Sequence, residues 1–215
     1  MPLLCATEIV AVCSWCYKFS SEDKEPAVNQ THSRIPPLES PFEPNIEQML
    51  NRMNPPGAPS VLALFRTLAV NPAMAERLMP WGGYLLGRHA SLPLRDREVV
   101  IDRVCALCGA EYEWGVHVAA FAKAAEFSDS QIAAIADPDG PLDALPERDR
   151  LLVRLVDELH DTSQVSDALW CEVSALWTQA QCVELLMLAG WYHAISYVCN
   201  AARVPLESWQ ARFPA

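Results

Sequence analysis

Nonpolar side chains are spaced irregularly in the first quarter of the chain and at helical intervals after about Ser60. Seven of the seventeen prolines lie between residues 26 and 56, which predicts a mostly extended and irregular segment there. From Ser60 onward nonpolar residues recur with helical periodicity, as in the run LRDREVVIDRVCALC, and no clear polar–nonpolar alternation is found. The pattern therefore predicts an all-α fold with about eight helices.

Capping signals indicate where several of these helices begin and end. Asn71 followed by Pro72 is typical of a helix start, because the side chain caps free N–H groups and proline suits the first helical position. Ser/Thr-x-x-Gln capping boxes predict two further starts, at Ser128 and at Thr178. Gly109 predicts a break between two helices in the middle of the chain.

The last predicted helix, residues 180–204, is nonpolar on nearly every face. Such a helix lies in a core, in a subunit interface or in a membrane. Glu184, His193 and Asn200 argue against the membrane. A domain of this size rarely encloses a helix completely, so we expect a homo-oligomer.

Composition and charge limit the partners. Hydrophobic residues make up 51% of the 215 positions and charged residues 20%, which is typical of a globular protein. The formal net charge is −11, and no dense run of Lys or Arg provides the basic face that nucleic acid or an anionic membrane requires. We therefore expect neither partner. A local group of cations that includes Arg88 and Arg95 still allows a site for a small acidic ligand.

The first 33 residues differ from the rest of the chain. They contain the motif CSWC (Cys13 and Cys16) and then a polar run. The motif resembles a redox pair or half of a zinc site, but no second Cys/His pair lies nearby at ligand spacing. The nonpolar beginning lacks the basic segment of a signal peptide. We expect a poorly ordered extension over residues 1–33 and one domain over residues 34–215.

The chain's eight cysteines do not resemble a disulfide framework. Five of them lie within nonpolar helical patterns, where cysteine packs as a small hydrophobic residue. A reducing cytoplasm is therefore the expected location.

The segment RVCALCGAEYEWGVH allows two kinds of chemistry. In the first, Cys105 and Cys108 form a redox pair, since cysteines at i and i+3 approach disulfide distance. His117 lies twelve residues beyond Cys105 and nine beyond Cys108, so on a continuous helix it would face a different direction from either cysteine. A fold-back at Gly109 would restore the contact, so spacing alone leaves this alternative open.

In the second, Glu113 and His117 form an acid–base pair on one helix face, four residues apart. A hairpin at Gly109 would also bring Glu98 to the same pocket. Burial and a paired carboxylate act in opposite directions on an imidazole, which predicts a pKa near neutrality for His117. Two further histidines, His160 and His193, are assigned structural roles.

Three blocks of the chain resemble the carboxymuconolactone decarboxylase family over about residues 34–210. They are RIPPLESPFEPNIEQML, LPLRDREVVIDRVCALCGAEYEWGVHVAAF and WYHAISYVCNAARVPLE. The resemblance implies an all-helical fold shared with alkylhydroperoxidase-D-like proteins, assembly into trimers or hexamers, and a role in the catabolism of aromatic compounds.

The redox branch of that superfamily has a glutamate, a Cys-x-x-Cys and a histidine four residues after the second cysteine. Aligned on His117, the glutamate is Glu98, while Ala110 and Glu113 stand where that branch has its cysteines. Cys105 and Cys108 lie five residues too early. The resemblance therefore favours the decarboxylase branch over a thiol peroxidase.

For that branch the resemblance implies a small lactone substrate that carries carboxylates, and no organic cofactor or metal. His117 would donate the proton, with Glu113 or Glu98 orienting it, and Arg88 or Arg95 would anchor a substrate carboxylate. Two alternatives remain at this stage. One is a thiol-dependent peroxidase, and the other is a non-catalytic helical oligomer.

Overall fold

The structure, a computed structural model, describes residues 32–54 and 58–214. In this part of the chain it contains nine helices and no strand, which confirms the all-α prediction. Eight of them begin after residue 60, as the pattern predicted. Their bounds are α1 Pro44–Met53, α2 Ala63–Leu68, α3 Pro72–Leu86, α4 Leu94–Leu107, α5 Glu111–Phe121, α6 Asp129–Ala136, α7 Glu147–Thr162, α8 Asp167–Leu176 and α9 Gln179–Ala202.

From Ser33 onward the chain forms one compact unit. The expected extension over residues 1–33 lies almost entirely outside the described residues, so its disorder stays a prediction. The motif CSWC lies outside them as well.

The proline-rich segment is only partly irregular. Residues 32–43 contain no helix, but Pro44–Met53 form α1. Pro44 occupies the first helical position, where its missing N–H is not needed. Met49 and Leu50 of this helix are buried. The prediction of an extended segment was therefore wrong for α1, because a proline at this position starts a helix.

The predicted capping sites are confirmed. The Asn71 side chain accepts a hydrogen bond from the Met74 backbone N–H at 3.2 Å. Ser128 and Thr178 each form a complete capping box. Gly109 adopts a left-handed conformation with φ +60°, which favours glycine. This residue separates α4 from α5 and lets α5 pack back against α4.

Two helices organise the core. α4 packs against α5, α6, α7 and α9, and buries a row of nonpolar side chains that includes Val100 and Val104. α9 contributes Leu188 to the same core and Ile195 to a second one, formed with α1, α2 and α3. Side chains of α4, α5 and α9 therefore meet inside the domain.

By length and composition, α9 is long and nonpolar enough to cross a membrane, but half of its most nonpolar stretch is buried inside the domain. Glu184 in its first half accepts hydrogen bonds from the backbone N–H groups of Ser91 and Leu92, at 2.9 and 3.2 Å. The burial of α9 and these hydrogen bonds are typical of a helix in the core of a domain. Its outer side still exposes Val183 and Tyr197.

Candidate active site

His117 lies at the meeting point of α4, α5 and α9. Its Nδ1 is 2.8 Å from Oε2 of Glu98 on α4. Its Nε2 is 3.0 Å from the hydroxyl oxygen of Tyr192 on α9. The His117 side chain is 4% exposed and that of Glu98 is 1% exposed. The imidazole is thus held at both nitrogens inside the protein.

Glu113 lies one helical turn before His117, as the sequence suggested, but it is not the closest carboxylate. Its Oε1 is 3.6 Å from His117 Nε2. The short contact belongs to Glu98, because the break at Gly109 brings α5 alongside α4. The structure therefore brings Glu98, Glu113 and His117 together, with Glu98 as the direct partner.

Charge around the imidazole sets its protonation state. Burial lowers the pKa of His117, but the carboxylates of Glu98 and Glu113 outweigh burial and raise this pKa to about 10. The predicted pKa near neutrality for His117 was wrong. The prediction counted one carboxylate beside the imidazole, whereas two carboxylates, those of Glu98 and Glu113, raise the pKa in the folded chain. At neutral pH the ring is an imidazolium, so both nitrogens donate hydrogen bonds.

A third carboxyl group, Asp102, lies one turn after Glu98 on α4. Its burial, together with the nearby charge of Glu98, raises the pKa of Asp102 well above the ordinary value, and the charge of His117 opposes this rise. Oδ1 of Asp102 and Oε1 of Glu98 are buried without a hydrogen-bond partner among the described residues. Both burial and the charge of Glu98 favour the neutral form of Asp102.

Tyr192 completes the cluster. Burial and the nearby carboxylates raise the pKa of its phenol well above the ordinary value, so it stays neutral. Sequence reasoning missed both Tyr192 and Asp102. Asp102 had a usable signal, since it is four residues after Glu98 and shares its helix face. Tyr192 had none, because its contact with His117 spans 75 positions.

The two cysteines of the alternative hypothesis lie in an environment that disfavours the thiolate. Cys105 is fully buried, and burial followed by the charge of Glu113 raises the pKa of its thiol well above the ordinary value. Cys108 is half-buried, and burial raises the pKa of its thiol too. Reactive cysteines require a lowered pKa. The described cysteines are all free thiols: Cys105, Cys108, Cys171, Cys182 and Cys199.

The two arginines assigned to substrate binding lie in different settings. Arg95 is paired with Asp149 at 2.6 Å and also donates to the carbonyls of Ala125 and Glu126. Its guanidinium is thereby engaged within the fold. Arg88 is exposed, and among the described residues it has no carboxylate partner. The structure shows neither arginine in contact with the His117 cluster.

His160 and His193, assigned structural roles from the sequence, contact each other. Nδ1 of His160 lies 2.9 Å from Nε2 of His193. Burial, followed by the charge of His160, lowers the pKa of His193. The two rings line a cavity of about 200 Å³ between α7 and α9. This pairing was not visible in the sequence, where the two histidines are 33 positions apart.

Fold and site together define a class: an all-helical domain with a buried acid–base cluster of one histidine, one tyrosine and three carboxyl groups. Residues 72–156 match the model of the carboxymuconolactone decarboxylase family. This match covers less than half of the chain and includes Glu98, Glu113 and His117. No protein with a curated description matches its sequence.

Solved structures share the fold at low sequence identity. A peroxidase-related protein from Silicibacter sp. TM1040 is 13% identical with a TM-score of 0.69, covering 84% of this chain and 96% of that chain. The debrominase Bmp8, in a cysteine-to-alanine variant with 2,3,4-tribromopyrrole, is 14% identical with a TM-score of 0.66, covering 83% and 94%. A protein from Agrobacterium tumefaciens with a suggested role in antioxidant defence is 15% identical with a TM-score of 0.56, covering 65% and 95%. These similarities establish the fold.

Proposed function

We propose that this protein is an acid–base enzyme of the carboxymuconolactone decarboxylase type, with His117 as its proton donor. The substrate would be a small lactone bearing carboxylates, or a related acid, and the reaction a decarboxylation or isomerisation. One observation carries the proposal. His117 is buried against Glu98, Glu113 and Tyr192, and the two glutamates raise its pKa to about 10, so the ring holds a proton at neutral pH.

The chemistry requires one proton. When the bond to the carboxylate carbon breaks, CO2 leaves and its electron pair stays on the ring as an extended enolate. An unsaturated lactone delocalises that charge itself, so the protein has to hold the substrate, stabilise the enolate and protonate carbon. The proton would come from His117 Nε2, and solvent would then restore it to the neutral ring.

Each neighbour of His117 has a separate part in this scheme. Glu98 accepts from Nδ1 at 2.8 Å, which fixes the ring and stabilises its charged form. Tyr192 and Glu113 lie at Nε2, where the proton leaves. The Glu113 side chain is 9% exposed, more than those of His117 and Glu98. We therefore place the substrate on the Glu113 side of the imidazole.

A carboxylate anchor completes the proposal. Of the two arginines, Arg88 is the better candidate because Asp149 already neutralises Arg95.

We also propose a cytoplasmic location, since free thiols such as Cys105 and Cys199 are compatible with a reducing compartment.

The test is turnover of carboxymuconolactone by the full-length protein, followed as CO2 release, with native mass spectrometry to detect a bound acid. Release of CO2 that His117→Gln abolishes supports the proposal. Hydroperoxide reduction that Cys105→Ser abolishes would support the thiol-dependent alternative instead. Absence of turnover, of peroxide reduction and of any bound acid would favour a non-catalytic oligomer.

A further inference from the structure

Cys108, His160 and His193 bring three metal-binding side chains together from separate parts of the fold. Cys108 is the C-terminal cap of α4, His160 lies in the last turn of α7, and His193 lies in the middle of α9. One donor atom of each residue lies within 4.8 Å of the other two. None of these residues belongs to the His117 cluster.

We propose that Cys108, His160 and His193 bind a zinc ion whose fourth coordination position opens into the cavity between α7 and α9. Two imidazole nitrogens and one thiolate form a donor set that suits Zn²⁺, whereas Mg²⁺ and Ca²⁺ prefer oxygen ligands. This proposal is independent of the proposed decarboxylase function.

The distances suit a tetrahedral ion. Zinc–nitrogen bonds of about 2.0–2.1 Å place two imidazole nitrogens about 3.3 Å apart around zinc. The 2.9 Å between His160 Nδ1 and His193 Nε2 is close to this separation. The Cys108 sulfur lies within 4.8 Å of one ring nitrogen of each histidine and would move inward by about 1 Å to complete zinc–sulfur contact. Rotation of side chains achieves a shift of this size.

The backbone around the three residues favours a cation. Cys108 and His160 both lie at the C-terminal ends of helices, where unpaired carbonyl groups create a negative potential. The Asn200 amide donates to the Cys108 carbonyl at 2.8 Å, which fixes the position of that residue. The site is therefore held by the fold on the Cys108 side.

The cavity supplies room for a fourth ligand. It measures about 200 Å³ and is lined by His160, His193, Ser163 and nonpolar side chains such as Leu159 and Leu186. This volume is below the about 300–1,000 Å³ of pockets for drug-sized ligands, so it fits water or a small ligand. Three protein ligands with one open position are the arrangement of catalytic zinc sites.

Zinc binding would change the state of Cys108. The residue is half-buried and its thiol is free. Coordination replaces the thiol proton by the metal, so one proton is released to solvent for each ion bound. The two sites would share α9, because Tyr192 contacts His117 and the adjacent His193 faces the cavity.

The experiment uses the full-length chain with Cys5, Cys13 and Cys16 replaced by serine, since these cysteines offer competing ligands. Co²⁺ is titrated into the metal-free protein as a spectroscopic substitute for Zn²⁺. We expect one Co²⁺ per chain, intense visible bands of a tetrahedral site, and a near-ultraviolet band from thiolate-to-cobalt charge transfer. Zn²⁺ should displace the cobalt and remove both signals.

Substitutions then assign the ligands. Cys108→Ser should abolish the charge-transfer band, and His193→Gln should weaken Co²⁺ binding at least about tenfold. Cys171→Ser and His89→Gln, at exposed positions outside the cluster, should leave binding unchanged. Far-ultraviolet circular dichroism checks that each variant is folded, and His160→Gln replaces His193→Gln if the latter fails to fold.

Two results would overturn the proposal. One is the absence of stoichiometric Co²⁺ binding by the folded protein. The other is binding that persists unchanged in Cys108→Ser and in both histidine variants. Added azide tests the open position, since it should shift the visible bands of the cobalt protein, and unchanged bands would disprove the open coordination position.

Discussion

Nδ1 of His117 lies 2.8 Å from Oε2 of Glu98, although the two residues are nineteen positions apart and belong to different helices. Both side chains are buried, so each offsets the cost of burying the other's charge. Removing one partner leaves the other as an uncompensated buried charge. The pair therefore affects both proton transfer and the stability of the fold.

Replacing His117 by glutamine should lower turnover at least about a hundredfold, because general acid catalysis is worth about 10²–10⁴ in rate. The assay is CO2 release, with circular dichroism to confirm folding. Cys171→Ser, at an exposed position on α8, is the control and should retain full activity. An active His117→Gln together with an inactive Cys105→Ser would restore the redox hypothesis.

Glu98→Gln should lower the pKa of His117 from about 10, since the charge of Glu98 is the largest influence that raises it. The alkaline limb of the pH–rate profile should move to lower pH accordingly. NMR titration of the imidazole measures the pKa directly. Glu76→Gln, an exposed glutamate on α3, should change neither quantity. An unchanged His117 pKa in Glu98→Gln would show that the charge of Glu98 does not raise the pKa of the imidazole.

Features determined by neighbouring residues were predictable from the sequence. The capping boxes at Ser128 and Thr178 and the break at Gly109 are confirmed because each depends on a few adjacent residues. α1 was missed because a cluster of prolines suggested extended chain, and a single proline at a helix start does not exclude a helix.

The site was predictable only in part. The spacing of Glu113 and His117 indicated a pair, and a hairpin at Gly109 indicated Glu98 as a further member of the site. The contact of Tyr192 with His117, and that of His160 with His193, join residues far apart in the chain. Such contacts depend on how α9 packs, which no local pattern encodes.

Stability should fall as pH rises from about 6.5 to about 10. The folded pKa of His117 is raised to about 10 from an ordinary value of 6.5, so over this range the folded protein keeps a proton that the unfolded chain has released. Its stabilising effect is complete below about pH 6.5 and is lost as pH rises through the folded pKa. One such proton contributes about 1.4 kcal/mol per pH unit.

Urea unfolding of wild type and His117→Gln across this range measures the effect as a difference between the two proteins. Tyrosines and thiols contribute to the pH dependence of both proteins, so the difference in unfolding free energy between the two proteins reports on His117. Wild type should lose stability more steeply than the variant. Equal slopes would mean that His117 has no raised pKa in the folded protein.

Removing residues 1–33 should leave the helical circular-dichroism signal and the melting temperature nearly unchanged. Both described cores are formed by nonpolar side chains from Leu38 onward, which the truncated chain retains. The truncated chain also keeps the backbone hydrogen bond from Arg34 N–H to the Ala202 carbonyl at 2.8 Å, which ties the new start to the end of α9. Loss of the cooperative melting transition would contradict the assignment of residues 34–215 as the domain.

The outer face of α9 predicts self-association. Val183, Met187 and Tyr197 are 61%, 49% and 64% exposed, and at about 100° per residue they fall within about 80° of one another around the helix. An exposed nonpolar stripe of this kind is typical of a subunit interface. We expect a homo-oligomer, which the family resemblance implies is a trimer or hexamer. Its mass in light scattering should be a multiple of the 23.8 kDa mass of one chain.

Met187→Glu should dissociate the oligomer, whereas Val70→Asp, at an exposed position between α2 and α3, should not. A wild-type mass of one chain at micromolar concentration would refute the prediction, because the stripe would then face solvent in the stable state of the protein.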